Sequence, residues 1–210
     1  KSIDSPPQSE EVKEVEENPR LGVITDSIQS VEVGIPQRFQ NMTVLPLIGR
    51  EQETGPEYLT LKEALEEKSI EVTEVDESGS VPELKVRNLS DQRVLLLDGE
   101  ELMGAKQNRV LNTTVMVAGQ TEVLIPVSCT EQGRWSYRSR KFQDSEVMMT
   151  NKIRALKSRS VSHSLKSMDS YQSNQGQVWH SIDALCESSG SYSHTGAMKA
   201  AYLQTADSLA

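Results

Sequence analysis

The sequence predicts an α+β fold, an antiparallel β-sandwich-like half followed by an α-helical half, and three observations carry that expectation. Short alternating or β-branched runs follow one another closely from Phe39 to Phe142. The connections between them are too short for the crossover helices a parallel sheet needs. Past Phe142 the apolar period lengthens to that of a helix. The 210 residues then divide into an acidic, largely disordered leader over 1–35 and a single α+β domain over 36–210, mainly β to 143 and mainly α from 144.

The leader opens with "KSIDSPPQSEEVKEVEENPR", whose six acids and three prolines leave too little to bury against the entropy of ordering. "NMTVLPLIG", Asn41 to Gly49, is strand-like, and Pro46 between Leu45 and Leu47 suits a sheet edge. In "YLTLKEALEEK" the residues Leu61, Ala64 and Leu65 share a helical face, and Thr60 with Glu63 spells a capping box, so a short helix is expected. "IEVTEV" and "PELKVRNLS" alternate as half-buried strands do, whereas "RVLLL" suits a strand buried on both faces. Asp98-Gly99 signals a hairpin pairing "VLLL" with "EELMG". Ala118-Gly119-Gln120 signals another, between "RVLNTTVMVAG" and "QTEVLIPVSC". Helical spacing follows in "MMTNKIRALK", "GQVWHSIDALCES" and "TGAMKAAYLQTADSL". Between the first two, seven serines from Ser158 to Ser173 compete for backbone hydrogen bonds, which predicts a frayed helix or mobile loop.

Charge is unevenly spread. From Arg138 to Lys166 eight basic residues stand against two acids, a balance of +6 in a chain whose total is −9, so the remainder carries −15. A solvated helix face answered by the acidic remainder accounts for this, and the few aromatics among these residues argue against a single-strand stacking platform. Nucleic-acid binding is therefore disfavoured. No apolar run reaches the ~18 residues of a spanning helix, so no membrane is expected. Two cysteines, Cys129 and Cys186, make no disulfide framework, and the expected compartment is the reducing cytoplasm.

The stretch "LLLDGEELMGAKQNR", Leu95 to Arg109, nearly spells a phosphate-binding loop. Ala105 intervenes between Gly104 and Lys106, Gln107 replaces the hydroxyl residue, Glu100 and Glu101 bring negative charge, and a β-branched run follows where a helix should. The motif is rejected on that chemistry, but the crowding of Glu100, Glu101, Lys106, Gln107, Asn108 and Arg109 is left unexplained. A second block, "VSCTEQGRW", sets Cys129 at a strand end beside Glu131, Arg134 and Trp135, a mixture suited to a polar pocket with an aromatic wall. A thiol nucleophile needs an adjacent base, and His163, His180 and His194 all fall in the helical half, so buried inert cysteine is the simpler fate. Histidine spacings of 17 and 14 match no metal motif, and neither a metal site nor a cofactor is expected.

These blocks, with "GQVWHSI" and "TGAMKAAY", resemble the ARPP family over roughly Pro36 to Leu209; "DGEELMGAKQNR" and "VSCTEQGRW" are the most specific pieces. The family takes its name from genomic association with ADP-ribosylglycohydrolases and with rhodanese and phosphatase proteins. The resemblance implies a candidate polar surface of Glu101, Lys106, Gln107, Asn108, Arg109, Cys129, Glu131, Arg134 and Trp135, without assigning roles. It also implies that the family often continues beyond this chain's C-terminus. The missing cofactor loop, metal ligands and nucleophile–base pair favour a binding or interaction module for a protein partner or a nucleotide-derived small molecule. The alternative is an enzyme or receptor for a ligand such as ADP-ribose in ADP-ribosylation or NAD-related metabolism. Lys106, Arg109 and Arg134 would then hold phosphate, Trp135 would stack a ring, and Glu101 or Glu131 would act as acid or base.

Overall fold

The computed structural model describes residues 19–49, 57–79 and 82–209. It divides into two compact units, Lys1–Gly55 and Pro56–Ala210.

The first unit holds helix α1 (Pro19–Gln29) and two nested antiparallel pairs. In these β1 (Val31–Val33) pairs with β4 (Leu47–Gly49), and β2 (Gln37–Phe39) with β3 (Met42–Val44). The expected loose leader falls partly outside the described residues; within it Pro19–Gln29 is helix α1 and Val31–Val33 is strand β1. Pro46 ends the "NMTVLPLIG" run as one strand and separates β3 from β4. Among the described residues of this unit the large apolar side chains, Phe39 and Leu47 among them, are exposed.

The second unit is α+β. Strand β5 (Tyr58–Thr60) leads into α2 (Leu61–Glu66), which begins as the capping box requires. Thr60 Oγ1 accepts from the Glu63 amide, and the Glu63 carboxylate accepts from the Thr60 amide at 2.8 Å. Then come β6 (Ile70–Glu74), β7 (Glu83–Asn88), β8 (Arg93–Leu96), β9 (Glu100–Gly104), β10 (Arg109–Leu111), β11 (Val115–Val117), β12 (Glu122–Cys129) and β13 (Phe142–Met148). Helices α3 (Asn151–Met168), α4 (Gln175–Ser188) and α5 (Lys199–Leu209) complete it.

Six strands form one antiparallel sheet in the order β13-β9-β10-β12-β7-β6, and this sheet curls until its edge strands touch at a bridge between Thr73 and Lys141. A smaller sheet, β11-β8-β5, shares its core; there β5 runs parallel to β8, the exception to the antiparallel expectation. The inward face carries Ile70, Val72, Leu84, Val86, Leu102, Leu111, Ile125, Val127 and Phe142, joined by Val94, Leu96 and Val117 from the smaller sheet and Leu61 and Ala64 from α2. The outer face of β10 presents Val110 to a second apolar cluster, with Met149, Ile153, Val178, Ile182 and Met198. The helices therefore cover the outside of the curled sheet, and its inside is filled from the strands.

Five local expectations change. The Asp98-Gly99 turn closes no hairpin: β8 pairs with β11 and β5, β9 with β10 and β13, so the turn carries the chain between sheets. Ala118-Gly119-Gln120 does the same, because β11 pairs with β8 and β12 with β7 and β10. The "RVLLL" strand buries one face only, with Val94 and Leu96 enclosed, Leu95 half-buried and Leu97 exposed. The serine-rich stretch is unbroken α3 to Met168; Ser160 returns its hydroxyl to the Lys157 carbonyl and Ser167 to that of His163, while Ser158 donates to Asp98. Helical structure starts at Asn151, because "FQDSEVM" pairs with β9 as β13.

Candidate functional site

The inward face becomes polar at one end. Strand alternation puts Glu74 on the face of Ile70 and Val72, Arg109 on that of Leu111, and Cys129 on that of Val127. Arg109 and Cys129 are also direct cross-strand partners. Three polar residues thus cap an apolar interior.

The Arg109 side chain has no exposed surface. Its Nη1 donates to Gln107 Oε1 at 2.9 Å and to Cys129 Sγ at 3.0 Å, while Nη2 lies 3.8 Å from Glu74 Oε1. Glu74 Oε1 accepts from the Lys106 amide at 3.3 Å. The Lys106 ammonium donates to the carbonyls of Glu77 and Ser78 and sits 5.3 Å from the Trp135 ring centre and 5.1 Å from that of Tyr137. Arg109 Cζ is 5.7 Å from the Trp135 ring, which is half exposed. Lys106, Trp135 and Tyr137 therefore form an aromatic and cationic cover over Arg109.

The two sequence blocks meet. Between Gly104 and Arg109 the chain makes a tight loop, and Arg134 staples it from the other block. Its Nη1 donates to the carbonyls of Ala105 (2.6 Å) and Ser136 (2.8 Å), and its Nη2 to those of Gly104 and Asn108 Oδ1, each at 3.2 Å. Its Nε and Nη2 hold Glu131 Oε2 at 2.9 and 2.7 Å. Glu131 also accepts from the Asn108 amide at 3.3 Å and from Thr195 Oγ1 at 2.8 Å, which ties the loop to the turn before α5. Gln107 Nε2 reaches the Gln132 carbonyl at 3.3 Å. Gly104 makes the close approach possible: at φ 135 a Cβ would stand 2.7 Å from Ser139 Oγ and 2.9 Å from the Lys141 carbonyl.

Glu101 sits elsewhere. Its cross-strand partner is Val110, so it points away from Arg109 into the helix-covered face, where it accepts from Thr130 Oγ1 and Ser145 Oγ, each at 2.5 Å. Burial raises its carboxyl above the ordinary value against those hydrogen bonds. Burial also acts upward on Glu131, but the hydrogen bonds from Arg134 and Thr195 outweigh it and the carboxyl lies below the ordinary value. Burial pushes the Cys129 thiol up to about 11, with Arg109 opposing. The backbone of Cys129 is clamped from outside by Gln175, whose Oε1 accepts from its amide at 2.8 Å and whose Nε2 donates to its carbonyl at 2.9 Å. His163, His180 and His194 are exposed on the helical side.

Of the nine residues singled out in the sequence, eight surround the Gly104–Arg109 loop and Glu101 lies behind it. Sequence reading passed over Glu74, Gly79, Tyr137 and Gln175. For Glu74 a signal was present: in "IEVTE" it occupies the apolar phase of the alternation, where a carboxylate needs a buried reason to be.

The family model of the ARG and Rhodanese-Phosphatase-superfamily-associated Protein domain, ARPP-1, matches residues 30–210. No curated protein and no solved structure matches the chain.

Proposed function

The chain belongs to the ARPP-1 family, and from that premise we propose that its second unit is a binding module for a small polar molecule, held at the polar end of the curled sheet. One observation carries this reading. The charged groups of the two blocks are largely spent on building the loop, Arg134 and Glu131 above all, whereas one edge of Arg109 and one oxygen of Glu74 are buried there with no hydrogen-bond partner. A nucleophile–base pair is not supported by the geometry around Cys129, whose thiol is protonated at neutral pH and whose nearest polar partner is a guanidinium. Glu131 is locked as an ion by Arg134, which suits scaffolding better than proton transfer.

The family description places such domains beside ADP-ribosylglycohydrolase and rhodanese-phosphatase proteins, an association that leaves the site to decide the chemistry. A second reading, an enzyme or receptor for a nucleotide-derived ligand such as ADP-ribose, is favoured by Trp135, whose half-exposed ring lies against Arg109. Arg134 takes no part in phosphate binding on either reading, since its donors are engaged within the fold.

Thermal-shift titration of the full chain with ADP-ribose, NAD and smaller polar metabolites, with each ligand recovered and analysed afterwards, tests the proposal. A ligand at 100 times its Kd stabilises by about 2.7 kcal/mol, roughly 5–10 °C for a domain of this size. The expected result is a saturable rise with the ligand recovered intact. Turnover of any bound ligand that is lost on changing Cys129 or Glu131 would overturn it.

A further inference from the structure

Arg109 carries two donors, Nε and Nη2, that are buried and have no hydrogen-bond partner, and beside them Glu74 Oε2 is a buried acceptor with none. These two nitrogens form one edge of the guanidinium, a planar fork whose parallel N–H bonds match two oxygens of a carboxylate or phosphate. The opposite corner, Nη1, is held by Gln107 and Cys129, so the fork is aimed rather than free to swing. Glu74 does not fill it: the nearest approach is 3.8 Å from Nη2, and the oxygen concerned already accepts from the Lys106 amide.

Charge leaves the fork as the open element. Lys106 is answered by the carbonyls of Glu77 and Ser78 and by the nearby Asp76 carboxylate. Glu131 and Arg134 neutralise each other. The two orphaned donors of Arg109 are left to call for an acceptor, which an oxyanion supplies.

A glycine lets the turn after β6 pack closely against this cover, where a side chain would press on Lys106, Trp135 and the free oxygen of Glu74. Gly79 lies in the turn after β6 with φ 78, and a Cβ there would come 3.2 Å from Lys106 Cδ, 3.4 Å from the Trp135 ring and 3.5 Å from Glu74 Oε2. An open groove of about 710 Å³, bordered by the acids Asp76 and Glu77 as well as by Tyr137, Arg140 and Lys141, reaches Glu74 from outside.

Resting on the binding-module reading, we infer that the Arg109 fork is the recognition element for an oxyanion, a carboxylate or a phosphate monoanion. Two of its oxygens take Nε–H and Nη2–H, and an adjacent hydroxyl or N–H of the same ligand donates to Glu74 Oε2. Dihydrogen phosphate and α-hydroxy carboxylates have this pattern; acetate has the oxygens without the donor.

The test is NMR of the arginine Nε–H resonances of the full chain during titration with inorganic phosphate, glycolate and acetate in separate arms. One slowly exchanging Nε–H, assigned to Arg109 by its absence in Arg109→Lys, should shift saturably with phosphate or with glycolate, and the responding arm identifies the source. Acetate should bind at least tenfold more weakly than glycolate if a carboxylate is the class. Gly79→Ala, which leaves Arg109 in place, should weaken the response, so the inference remains testable if Arg109→Lys fails to fold. No saturable shift in any arm, or an unchanged one in Gly79→Ala, overturns it. A ligand found by thermal shift that binds Arg109→Lys as well as wild type would also defeat the fork while leaving the binding module standing, whereas turnover would remove the module itself.

Discussion

Replacing Arg134 by methionine, which keeps most of the side-chain volume, should be among the most destabilising single changes in the chain. Arg134 makes five hydrogen bonds from a buried position, four of them to the loop between Gly104 and Asn108 or to Glu131. The change strands the Glu131 carboxylate, itself enclosed, and takes a donor from the carbonyls of Gly104 and Ala105, the latter keeping only the Arg138 amide. Breaking one partner of a buried pair costs about 3–5 kcal/mol, a large share of the roughly 5–15 kcal/mol that holds a domain together. Urea unfolding of the full chain measures it as a shift in midpoint at unchanged slope. Lys85→Met, which loses an exposed pair with Glu122, is the control and should cost under about 1 kcal/mol. The Glu131 carboxyl is depressed in the fold, so its contribution is present above the ordinary 4.5 and fades as pH falls through the lower folded value. Glu131→Gln should therefore differ from wild type most at neutral pH and least in acid. A loss below about 1.5 kcal/mol for Arg134→Met, less than one hydrogen bond to a charged group can be worth, would refute the role of Arg134 as the staple.

Other outcomes follow from the same contacts. Cys129, buried and with its thiol raised to about 11, should resist iodoacetamide at neutral pH until the chain unfolds, while half-buried Cys186 reacts first; peptide mass spectrometry after timed quenching decides the order. The Glu101 carboxyl is raised, so its contribution is complete below 4.5 and lost as pH rises through the folded value. Glu101→Gln, which does not titrate, should compare best with wild type in alkaline urea melts and worst in acid. Gly119→Ala should unfold the chain or cost several kcal/mol, on the order of the large backbone effects, because its Cβ would stand 2.3 Å from the Asp91 carbonyl oxygen. Circular dichroism melts read that loss directly.

Local chemistry was legible in the sequence and strand partnership was not. The Thr60–Glu63 box and the alternation in "IEVTEV" depend on neighbours within four residues, and both appear as expected. Asp98-Gly99 and Ala118-Gly119-Gln120 carry good hairpin residues, yet both link strands of different sheets, because pairing is decided by which long-range neighbour buries each face. The serine-rich run stays helical because tertiary anchors outweigh propensity. Lys157, in its middle, is buried with its ammonium bound to Asp98 and to the Leu111 carbonyl at 2.8 Å. At the site, the crowding of "AKQNR" and "CTEQGRW" pointed to the right loop, but Glu101 is adjacent in sequence and opposite in face, and Glu74 comes from a strand some thirty residues earlier.

A crystal structure of the full chain grown with the responding oxyanion tests the central claim most directly. The account predicts density for a two-oxygen group within about 2.7–2.9 Å of Arg109 Nε and Nη2, beneath Trp135 and beside Glu74. Glu74 turned onto the fork as a bidentate partner, or a single water bridging it to Arg109, would contradict the account.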